Sequence, residues 1–150
     1  MMLRCLVTVA LVGLPIVTDF VQADETKKAT DNLQGTWEVV EAVNNGKVVP
    51  EEDRKGVQFV FVGDKLTMTD GKGNKEEFRF KLDPRKKPNT IDMTFLKGEN
   101  KGSVGVGIYH LEGDNLKLCA PNNLTKERPS GFVSKEGSNL VLVTLKRVKK

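Results

Sequence analysis

From Leu33 onward, apolar and polar residues alternate in short runs that turn residues interrupt. In "EEFRFKL", Phe78, Phe80 and Leu82 fall on one side, and Arg79 and Lys81 on the other. Successive side chains of an extended chain point to opposite faces, so this spacing predicts a strand with one buried face. Ile91, Met93 and Phe95 repeat the pattern, with Asp92 and Thr94 opposite. "GTWEVVEAV" (35–43) runs into "NNG", a turn signal. "VQFVFV" and "KLTMT" flank Gly63-Asp64, and "VGVGIYHLE" and "NLKLC" flank Gly113-Asp114. Two-residue turns containing glycine favour hairpins, because glycine takes the left-handed backbone such turns require. "PEEDRKG" (50–56) predicts one helical turn, with Pro50 near its start and Gly56 at its stop. "APNNLTKERPSG" is the longest irregular loop, and "FVS" and "LVLVTLKRV" are expected to close the chain around "KEGSN". Consecutive short strands joined by short turns read as an antiparallel meander. Closing such a sheet on itself removes its exposed edges. The expected class is all-β: an antiparallel up-and-down barrel of about eight to nine strands over residues 33–150.

The N-terminal stretch follows a different pattern. Met1 to Arg4 is a short positive region, Cys5 to Val17 is apolar, and "VQA" (21–23) places small residues where a signal peptidase cuts. The apolar run is too short to span a bilayer comfortably, and no second one follows. A signal peptide over residues 1–23 is therefore expected, with cleavage after Ala23 and a secreted or periplasmic address. Residues 24–32, "DETKKATDN", are polar and without period, and are expected to be a flexible leader. Cleavage removes Cys5 and leaves Cys119 as the only cysteine, so an intramolecular disulfide is not expected. The formal charge of +4 is spread among acidic residues, which is the pattern of a solvated surface. Nucleic acid is not expected as a partner, since few aromatic residues accompany the basic clusters.

"LDPRKKPNTIDMTF" (82–95) raises one local question: whether "PRKKP" binds an anion or is only a turn. Pro84 and Pro88 cannot donate to a sheet ladder, and alternating strands flank both. Without a glycine-rich nest or a helix N-terminus, three cations on a loop are a weak anion signal. A hairpin tip is the stronger reading.

Candidate chemistry is sparse. Cys119 is a lone cysteine, more often a small buried hydrophobe than a nucleophile. Its only possible histidine base, His110, lies across the Gly113-Asp114 turn, and a register slip of one residue would put the two on opposite faces. One histidine and one cysteine cannot supply the nitrogen and sulfur ligands of a zinc site, so no metal is expected. Asp64, Asp70 and Asp114 are explained by turn geometry. No phosphate-binding or nucleophile-elbow motif occurs, and neither a cofactor nor a catalytic constellation is expected. Asp92, Tyr109 and Arg128 are the candidate ligand-binding residues. If Ile91, Met93 and Phe95 face the core, Asp92 faces solvent. If they form the outer shell, Asp92 looks inward and needs a cation, for which Arg128 is the best candidate.

"LQGTW" at the start of the first strand and "LVLVTLKRV" in the last resemble the lipocalin pattern. That resemblance implies that the first and last strands meet, with Arg147 over the indole of Trp37 and Gly35 beside it. "LQGTWEVVEAVNNGKVVP", "LDPRKKPNTIDMTF", "GIYHLEGDNLKLC" and "RPSGF", in that order, are similar to a lipocalin-like domain family abundant in planctomycete bacteria. The likeness covers roughly Leu33 to Arg147. It implies the barrel and an export signal, and almost nothing about chemistry. His110 departs from it, standing where an acidic residue is expected before "LEGD".

The reading is an exported, monomeric binding module for a small, partly apolar ligand or an envelope protein. The alternative is a structural or protein-interaction domain with a filled barrel, using its wall or the 120–131 loop. The interior decides between them: an apolar cavity above roughly 300 Å³ favours a ligand.

Overall fold

The computed structural model describes residues 18–125 and 127–150. Most of the expected signal segment, residues 1–17, lies outside the described residues.

Nine strands follow one another in the described residues: β1 (Gly35–Asn44), β2 (Lys47–Val48), β3 (Gln58–Val62), β4 (Lys65–Thr69), β5 (Lys75–Asp83), β6 (Asn89–Phe95), β7 (Val104–Glu112), β8 (Asn115–Pro121) and β9 (Leu140–Arg147). Every pairing is antiparallel, each strand from β3 onward pairs with the next, and β9 returns to pair with β1. Eight strands thus close a barrel, while β2 only extends a hairpin from β1. The up-and-down barrel expected from the alternation is the observed fold. The predicted two-residue turns are in place, with Val62 opposite Lys65 and Glu112 opposite Asn115. Gly63 and Gly113 hold φ of 60° and 58° there, which a β-branched residue resists. "PRKKP" caps the β5–β6 hairpin, whose last pair is Asp83 with Thr90.

Strand β1 serves two neighbours. Its first residues pair with β3 and residues from Trp37 to Asn44 with β9, and the β9 register shifts between Val39 and Glu41. The extra residue, Val40, bends the strand so that one edge can close the barrel while the other admits β3 and then β2.

One half of the barrel is filled. Trp37, Phe61, Leu66, Phe80, Ile91 and Leu116 are all buried, and the Phe61 and Phe80 rings meet edge to face at 5.2 Å. Edge-to-face contact suits the aromatic quadrupole and adds to the gain from burying the rings.

Two segments differ from expectation. Residues 24–32, expected as a flexible leader, lie within helix α1 (Thr18–Leu33). The helix has no apolar stripe, only Ala29 and the fully buried Leu33 on the core. Its last turn carries no basic residue of its own, and a cation from β9 takes that place. Arg147 donates from Nη2 to the Asn32 carbonyl at 2.7 Å and from Nη1 to the Gln34 carbonyl. Positive charge at a helix C-terminus satisfies orphan carbonyls and opposes the dipole. The Gln34 side chain clasps the β3–β4 turn, accepting from Gly63 N–H at 2.6 Å and donating to its carbonyl at 2.9 Å. The helix is anchored by tertiary contacts that its own sequence does not announce.

The second difference is "FVS" (132–134), expected as a strand. It makes no ladder pairing and belongs to the 122–139 segment between β8 and β9. Ser134 Oγ donates to the Leu140 carbonyl at 2.7 Å and accepts from Gly46 N–H at 3.0 Å, tying this segment to the β1–β2 turn. Helix α2 (Glu51–Arg54) is the single turn expected after Pro50.

Candidate functional site: the open end of the barrel

The other half of the barrel is hollow. A cavity of about 740 Å³ opens at the end away from α1, lined by Val39, Met68, Phe78, Met93, Phe95 and Val143, among others. Small residues make the room. Ala42 and Ala120 line the wall, and at Gly105 an added Cβ would meet nothing nearer than the Met93 carbonyl at 3.7 Å. Deeper on the same strand, at Gly107, a Cβ would lie 3.0 Å from the Cys119 carbonyl and 3.3 Å from Ala120 Cβ. The interior thus passes from crowded to empty within two residues of β7. Phe78 and Phe95, 4.6 Å apart, line the cavity where the core gives way to it.

The mouth is polar. Asp53 and Arg54 reach it from α2, Glu76 from β5, Asn100 from the β6–β7 turn, and Asn122 and Asn123 from the loop after β8. Asn122 is held in place: its side chain donates to Asn44 Oδ1 at 2.6 Å, and its N–H to the Asn139 carbonyl at 2.9 Å. Arg54 is different. Its Nε is buried and has no hydrogen-bond partner among the described residues. Sequence reasoning missed this residue, because a single helical turn is too short to show a period that marks one side as inward.

The three residues expected to bind a ligand do not meet in this cavity. Asp92 lies on the outer face of β6, opposite Val106, where the inward set Ile91 and Met93 leaves it. Arg128 reaches it from the loop at 2.7 Å. It also donates through Nη1 to the Gly107 carbonyl at 2.8 Å and the Ile91 carbonyl at 3.2 Å. This half-exposed pair clips the 122–139 segment to the barrel wall. Tyr109 faces inward in the filled half and is 3% exposed. Its hydroxyl has no partner among the described residues, and burial, reinforced by the Asp83 charge, pushes its pKa up to about 12.

Cys119 and His110 lie on the same face of the β7–β8 ladder but are not opposite each other. Cys119 faces Ile108, and His110 faces Lys117. Cys119 is fully buried on that outer face. Burial pushes its thiol pKa up, which opposes thiolate formation. His110 is exposed and packs beside Phe132, with ring centroids 6.3 Å apart. This arrangement does not make a nucleophile–base pair.

At the closure, the Arg147 guanidinium lies 4.3 Å from the Trp37 ring centroid, and the two residues pair across β1 and β9. Its Nε donates to Asp114 Oδ1 at 3.1 Å, and Trp37 Nε1 donates to the Leu33 carbonyl at 2.9 Å. An added Cβ at Gly35 would meet Arg147 Nη1 at 3.3 Å, so glycine leaves the guanidinium its place.

In the basic tip, Arg85 folds back on Asp83, its Nε 3.2 Å from Oδ1. Near the start of β5, Glu77 is held by Lys97 and Lys65, which keep its carboxyl down at about 2. No helix of the described residues is long and apolar enough to cross a membrane.

Fold and cavity together define a class: a closed, lipocalin-like β-barrel with one filled end and one hollow end. No family model, curated protein or solved structure compared with the chain matches it.

Proposed function

We propose that this protein is an exported binding module, of the lipocalin-like kind its motifs resemble, that takes a small, partly apolar molecule into the open end of the barrel. The cavity carries the reading. At about 740 Å³ it falls within the ~300–1,000 Å³ range of small-molecule sites, and its walls are largely apolar with a few polar groups at the rim. A barrel used only through its outer wall has no need of a hollow end, so the cavity favours the ligand reading over the interaction reading.

The test is saturable uptake of a neutral apolar fluorophore, N-phenyl-1-naphthylamine, by the full chain. Val143→Phe extends a side chain into the cavity from β9 and is expected to weaken uptake by about tenfold or more. Absence of saturable uptake, or uptake that Val143→Phe leaves unchanged, would remove the cavity from consideration.

A further inference from the structure

We infer that the guest carries a carboxylate and that Arg54 receives it at the mouth; this rests on the ligand reading above and names its chemical class. Arg54 is half-buried on α2, lines the cavity, and keeps a buried Nε donor without a partner among the described residues. A buried donor costs stability until it finds an acceptor. A guanidinium is also a permanent cation whose planar fork of donors matches the two oxygens of a carboxylate.

The other polar groups at the mouth narrow the choice. Asp53 and Glu76 are exposed there, so solvent and salt screen them from a guest. Their repulsion still weighs more on a dianionic head group than on a monoanionic one. A cationic head group would have to sit beside Arg54. Below the rim the walls are Phe78, Met93 and Phe95, which offer nothing to a polar group and suit an alkyl chain. The arrangement fits a monocarboxylate amphiphile, with its head on Arg54 and its tail in the hollow half.

Titration calorimetry of the full chain with dodecanoate and with dodecanol, below their aggregation limits, tests this. The two probes share a tail and differ in the head. Wild type is expected to bind dodecanoate about tenfold more tightly than dodecanol, as a charge-assisted bidentate contact allows. In Arg54→Gln that ratio should fall to about one, and in Arg54→Lys, which keeps the charge without the fork, it should be intermediate. Equal affinities in wild type, or a ratio that Arg54→Gln leaves unchanged, would overturn the head-group assignment and leave the cavity reading standing. If neither probe binds wild type, both fail together.

Discussion

Two arginines and a tyrosine show how much depends on whether a buried polar atom is answered. Arg147 has every part of its guanidinium engaged, by the Asn32 and Gln34 carbonyls, Asp114 and the Trp37 ring. Among the described residues, the buried Nε of Arg54 has no partner, and neither has the Tyr109 hydroxyl in the core. For Tyr109 the consequence is a pH dependence. Burial favours the neutral phenol, so the folded pKa is about 12 against 10.0 for the free side chain. The unfolded chain releases its proton first. The stabilisation from Tyr109 is therefore complete below about pH 10 and is lost as pH rises toward about 12. Urea unfolding stepped through that interval should show wild type losing stability faster than Tyr109→Phe. At neutral pH the substitution removes an oxygen without a partner among the described residues, so it should change stability by no more than about 1 kcal/mol. Parallel pH profiles for the two proteins would contradict the assignment.

Among the elements, α1 depends most on its neighbours. Its sequence is polar, and Thr26 and Thr30 turn their hydroxyls back onto the helix, donating to Gln22 and Thr26 carbonyls at 3.1 and 2.9 Å. Such back-bonding does little for a helix by itself. What holds α1 is Leu33 in the core and Arg147 on its last carbonyls. Arg147→Ala should lower stability by about 2–4 kcal/mol, combining the lost cation–indole contact with charged hydrogen bonds to carbonyls left without donors. Amide exchange across 24–33 should accelerate more than in the strands. An unchanged urea midpoint would mean that the closure rests on the ladder alone. On the opposite wall, Arg128 holds the 122–139 segment against β6 and β7 through Asp92 and the Ile91 and Gly107 carbonyls. A long irregular connection is thereby made part of the wall.

For the molecule as a whole, the division into a filled half and a hollow half follows from residue size along each strand. Bulky inward residues fill the end where β1 begins and β9 ends, and at the other end Ala42, Gly105 and Ala120 leave room beside Phe78 and Phe95. Helix α1 closes the filled end, and it runs through Ala23 and Asp24, the expected cleavage point. Processing there would leave Asp24–Leu33, which keeps both core contacts, Ala29 and Leu33. Intact-mass measurement of protein recovered from the envelope or the medium should show Asp24 as the first residue. Met1 retained on that form would argue against export by cleavage.

The alternation of Phe78, Phe80 and Leu82 with Arg79 and Lys81 determined strand, face and class. The Gly63-Asp64 and Gly113-Asp114 turns determined two hairpins and their register. Those are local matters: a period of two and a left-handed turn position are properties of neighbouring residues, readable without the fold. The meeting of Trp37 with Arg147 was legible only through a resemblance, since it joins residues at opposite ends of the domain. Helix α1 was not legible, because its stabilising cation and its burial come from β9 and the core. Asp92 and Arg128 could be paired by charge from the sequence. Only the tertiary structure decided that they meet outside the barrel, with Arg128 also bonded to backbone carbonyls. The cavity and its orphaned Arg54 Nε were decided there too. Whether a barrel is filled depends on how side chains from eight strands sum in three dimensions, and no single stretch of sequence contains that sum.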